Sequence, residues 1–182
     1  MTSRELEVEL FGRTGSMQYS ESGLGYAILG LRLMMAWTFI QAGLDKVLAE
    51  SWSSTPFLQG VPEANPFYTL FQFFAAYPGM VDPLVMYGQI LIGLGLLLGA
   101  AFRFSALMGG IQMTLFWLAS FQAGFMSGLP VNHGFVVNSN LVYAAILFGL
   151  GALGAGRLVG VDQYIEGIEF VANNSWLKYL MG

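Results

Sequence analysis

Seven side chains in this sequence combine a polar or titratable head with apolar surroundings: Arg32, Gln41, Asp45, Lys46, Gln89, Gln112 and His133. Their types suit the binding of a small carbonyl-bearing redox carrier such as a quinone. The glutamines and Lys46 can hydrogen-bond its oxygens, Arg32 adds a fixed cation, and Asp45 or His133 can exchange the proton that reduction requires. Tyr87, Trp117 and a phenylalanine-rich stretch offer an apolar slot for ring and tail. The plainer alternative for the outer residues is ordinary solvation of helix ends. For Arg32 it is a guanidinium that snorkels inward or donates to helix carbonyls.

Composition states what must position these groups. Of the 182 residues, 55% are hydrophobic and only 10% charged, against about 25% charged in an ordinary soluble domain. The class is therefore membrane protein. Cysteine is absent and histidine occurs once, so the chain by itself supplies no disulfide, iron–sulfur cluster, two-histidine haem or His-rich metal centre. Redox chemistry would need a diffusible or partner-borne cofactor. A net charge of −4 with acids in the flanks (Glu5, Glu7, Glu9, Asp162, Glu166, Glu169) makes nucleic acid an improbable partner.

A spanning helix needs about 20 mostly apolar residues, and four such runs occur, about 23–44, 84–102, 104–127 and 135–156. The expected fold is an all-α four-transmembrane-helix bundle in the lipid bilayer. A polar segment 1–22 precedes it, with Ser20 or Ser22 as the first helix cap. Arg103 alone separates the second and third spans, which demands a tight hairpin. The outer loop 45–83 contains the aromatic run 66–77, too short to span, which reads as a helix in the interface or folded over the bundle mouth. The tail 157–182 reads as an amphipathic surface helix with Trp176 and Tyr179 as anchors. One of Asn138 and Asn140 should cap the fourth span.

With both termini inside, Arg4, Arg13, Arg103, Arg157 and Lys178 lie on the inner side and Lys46 alone lies outside, so both termini are expected in the cytoplasm of a cell-membrane protein. Counting about 1.5 Å per residue from the inner face places Arg32 and Gln112 at similar depth. A facing pair would still leave most of the five guanidinium donors to carbonyls, water or ligand. Gln41, Asp45, Lys46, Gln89, Gln122, His133, Asn138 and Asn140 gather in the outer half. Gln41, Asp45, Lys46 and Gln89 are expected to line one cavity under the aromatic loop.

In order along the chain, Gly30-Leu31-Arg32, Phe39-Ile40-Gln41-Ala42-Gly43-Leu44-Asp45-Lys46, Gly88-Gln89 with Gly93-Leu94-Gly95 and Gly99, and Gly149 to Arg157 resemble the DoxX/DoxD family of small four-helix membrane proteins. That family includes the larger membrane subunit of thiosulfate:quinone oxidoreductase. The resemblance implies a quinone cofactor and a second protein subunit, or a homo-oligomer, as partner. The acidic flanks and aromatic loop look most like versions from salt-loving archaea. A non-catalytic membrane scaffold and, less well supported, a small-solute transporter remain the alternatives.

Overall fold

The computed structural model describes residues 3–121, 136–165, 167, 171 and 173–181. Its two longest helices, α1 (Glu21–Leu48) and α4 (Pro78–Leu98), are long and apolar enough to cross a membrane. They pack extensively against one another. Gly43 and Gly93 make the close crossing possible. A Cβ on Gly43 would stand 2.9 Å from Met86 O, and one on Gly93 2.9 Å from Ala36 O. The helices α5 (Phe102–Ala119) and α6 (Ser139–Ala152) form the second packed pair. Between the two pairs lies a core of Phe39, Ile92, Leu96, Phe102, Met113 and Leu147.

Start signals in the sequence operate as physical chemistry requires. The Ser20 side chain accepts from Gly23 N, and that of Asn138 from Leu141 N, each satisfying a donor of a helix's first turn. The α4–α5 turn sits differently from expectation. Gly99 ends α4 in the left-handed conformation and Ala101 follows with φ 45°, so Arg103 belongs to the first turn of α5 rather than to the break. The described helix α6 is also shorter than the expected run 135–156.

Two regions correct the sequence reading more deeply. The N-terminal segment, read from the sequence only as polar, is a hairpin of β1 (Ser3–Leu10) and β2 (Arg13–Ser20), paired antiparallel. It turns at Phe11 and Gly12, both at positive φ. The alternation Glu5-Leu6-Glu7-Val8-Glu9 is a strand period. In register, Leu6 faces Met17 and Val8 faces Gly15 on one side, with the glutamates on the other. The tail is no continuous amphipathic helix. Among the described residues it holds a 3-10 turn (Ala155–Arg157), α7 (Asp162–Ile165) and α8 (Ser175–Leu180).

The segment between α1 and α4 folds over the ends of α4 and α5. Within it, α2 (Thr55–Gln59) and α3 (Tyr68–Ala75) bury Leu58, Val61, Phe71 and Ala75 against Val81 and Ala119. Asn65, 3% exposed, donates to Leu118 O at 2.9 Å and Phe121 O at 2.8 Å, satisfying carbonyls at the end of α5. Asp82 accepts from Ser54 N at 2.8 Å and Ser54 Oγ at 2.5 Å. These side chains hold the aromatic run on the bundle mouth.

Candidate functional site

Arg32 is 2% exposed at the end of the bundle where α4 turns into α5. Its Nη1 donates to Ala155 O at 2.9 Å and Leu158 O at 2.6 Å, and its Nη2 to Leu97 O at 3.3 Å and Val159 O at 3.4 Å. Only Nε is left without a partner. The guanidinium thus gathers carbonyls at the end of α4 and in the bend after α6, where Ala155 O also accepts from Leu158 N at 3.3 Å. The expected pairing with Gln112 does not occur. Gln112 stands ten residues into α5, about 15 Å from the turn that holds Arg32.

Asp162, read from the sequence as a surface acid, is fully buried beside this cluster. Its two carboxylate oxygens accept from Ala101 N at 2.7 Å and Phe102 N at 3.0 Å, capping α5 where the helix dipole favours negative charge. It also interacts electrostatically with Arg32. Close backbone approach makes this arrangement possible. A Cβ on Gly160 would overlap Gly156 O, and one on Gly99 would stand 2.8 Å from the same oxygen. Gly154, Gly156 and Gly160 followed by an aspartate were the available signal for a tight loop instead of a surface helix.

At mid-depth the four helices meet around Gly109, where a Cβ would stand 3.1 Å from Phe39, 3.2 Å from Ile92 and 3.0 Å from Leu147. Gln112 and Gln89 each lie three residues from that level, on α5 and α4, about 4.5 Å along their axes toward the end covered by α2 and α3. Gln89 is 2% exposed, and the Oε1 atoms of both glutamines are buried with no hydrogen-bond partner. Buried amide oxygens are ordinarily satisfied. Two orphans at one level are a polar step in an otherwise apolar core.

The remaining predicted residues are placed elsewhere. Gln41 is only two residues beyond Phe39, but it faces outward and is exposed, as is Asp45. Lys46 folds back to donate to Ala42 O at 2.8 Å and lies 5.5 Å from the Trp52 ring centroid. Gln41, Asp45, Lys46 and Gln89 therefore do not form the single expected cavity. Gln41 and Asp45 separate from Gln89 by direction around the helix axis, which a residue count does not give. His133 and Gln122 lie outside the described residues.

The model of the DoxX family matches residues 27–123, more than half of the chain. The chain belongs to the DoxX family. A relative from Haemophilus influenzae of uncharacterised function is 29% identical over 164 residues, covering 87% of this chain and 94% of that protein. No solved structure matches. The DoxX match takes in α1, the outer loop, α4 and α5, and so includes Arg32, Gln89 and Gln112. Three of the four carbonyls around Arg32 come from beyond it, from residues 155–159.

Proposed function

We propose that this DoxX protein is the membrane subunit of a quinone-linked oxidoreductase, with a quinone head group held at the level of Gln89 and Gln112. The supporting observation is that the Oε1 atoms of Gln89 and Gln112 are both buried and unpartnered, at the same level along their helices. A quinone carries two electrons and two protons between a reductant and the membrane pool. Each glutamine amide both donates and accepts, so Gln89 suits either a quinone carbonyl or a quinol hydroxyl by rotating its amide. Phe39, Ile92 and Met113 supply the apolar surroundings. Electrons would come from a partner subunit, and thiosulfate as their source is the narrower suggestion that the family likeness adds. Asp45 and His133 are the proposed proton exchangers toward the outer side, with Gln41 and Lys46 near the same end.

Purification in mild detergent, followed by solvent extraction and mass spectrometry, tests this directly. A quinone at near one per chain, together with a co-purifying subunit, is the expected result. The absence of both would favour a scaffold, for which the projecting β1–β2 hairpin is the specific observation. Its tip residue Phe11 is fully exposed, as are Leu6 and Met17 in part, and an isolated two-stranded hairpin is marginal in water without a surface to pack on.

The same proposal includes four spans with both termini cytoplasmic, on the five-to-one distribution of bases. Because the chain has no cysteine, single substitutions report sidedness cleanly. Ser54 is buried against Asp82, so the exposed Ser51 is the better outer site. An impermeant maleimide added to intact cells should label Ser51→Cys and spare Ser3→Cys; the reverse pattern would invert the topology.

A further inference from the structure

On the outward side of the α5–α6 pair, away from α1 and α4, runs an open groove of about 730 Å³. Its walls are apolar, with Leu107, Ile111, Leu147 and Phe148 along them, and Gly110 forms part of the floor. At its inner mouth stands Arg103. The Arg103 Nε donates to Gly151 O at 3.3 Å, and the guanidinium carbon lies 5.8 Å from the Tyr179 ring centroid. Among the described residues no carboxylate pairs with Arg103 and its two Nη groups have no hydrogen-bond partner. The guanidinium is thus oriented by α6 and α8 while its double-donor edge remains open.

We infer that this groove binds one anionic phospholipid, its phosphate on the Arg103 guanidinium and an acyl chain lying along α5 toward Thr114. Charge and length select this occupant. Arginine presents parallel donors that match phosphate oxygens, and basic pockets between spanning helices at the membrane face suit anionic head groups. From Arg103 to Leu115 the groove follows twelve residues of α5, about 18 Å, comparable to the roughly 15 Å of one leaflet. A second copy of the chain would be expected to cover the full helix length. The site uses different residues from Gln89 and Gln112 and stands whether or not those bind a quinone.

Native mass spectrometry of the detergent-purified protein, titrated with phosphatidylglycerol and separately with phosphatidylcholine, tests the inference. The wild type should retain one phosphatidylglycerol in preference to phosphatidylcholine. Arg103→Ala should weaken that retention by at least about five-fold, with Arg103→Lys intermediate. Gly110→Leu should displace the acyl chain without changing any charge. A Cβ at Gly110 meets nothing within 4 Å and leucine is the better helix former, so this variant folds, which an unchanged melting curve verifies. Equal retention of the two lipids by the wild type would overturn the inference. So would unaltered phosphatidylglycerol binding in both Arg103→Ala and Gly110→Leu, or a lipid-independent dimer that Gly110→Leu dissociates.

Discussion

Arg32→Leu should leave little folded protein in the membrane, with a loss of about 3 kcal/mol or more, because it strips donors from buried carbonyls in two segments at once. Ala155, Leu158 and Val159 sit in the bend after α6, and Leu97 lies in the last turn of α4, so the substitution separates these segments as well as removing a charge. It would also leave the buried carboxylate of Asp162 without its nearby cation. Arg32→Lys should recover part of the stability, since an ammonium keeps the charge but has three donors and no planar fork. Thermal aggregation in detergent, followed by size-exclusion chromatography, reads the order wild type above Lys above Leu. Equal melting of all three would show that the carbonyls find water instead. Arg32 would then be free for a role in ligand binding.

What could be read from the sequence was whatever depends on neighbours along the chain. The caps at Ser20 and Asn138 involve partners three residues away, whereas counting along one helix puts Arg32 level with Gln112 and the structure holds it at the α4–α5 turn instead. Its partners lie 65 to 127 residues away in the chain, and a residue count cannot choose among distant segments at one end of the bundle. Gln112 was chosen for its polarity, but backbone carbonyls are equally good acceptors and every segment carries them. Asp162 was read as exposed because acids on a helical spacing usually are. Its burial depends on open donors at the start of α5, sixty residues earlier. The hairpin is legible in the sequence, where Glu5, Glu7 and Glu9 alternate with Leu6 and Val8 as a period of two that a count of charge alone hides.

Gln89→Leu should act in opposite directions on stability and on quinone binding. In the protein without ligand, the buried Oε1 of Gln89 has no partner, and replacing an unsatisfied polar group by an apolar one of similar bulk removes a penalty of about 1–3 kcal/mol. The variant should therefore melt at or above the wild-type temperature. If the amide serves a quinone head group, the same change removes a hydrogen bond and should weaken quinone binding by about 1 kcal/mol or more, roughly five-fold or greater. Gln112→Leu should shift both quantities in the same senses, and Gln41→Leu, on the exposed side of α1, neither. A buried, unpartnered amide that serves no ligand gains stability on this substitution and loses nothing else. A more stable Gln89→Leu protein that retains its quinone would thus remove the mid-depth amides from the redox site. Loss of stability without any change in quinone content would assign Gln89 to the packing of α4, and the scaffold would then be the better account of the fold.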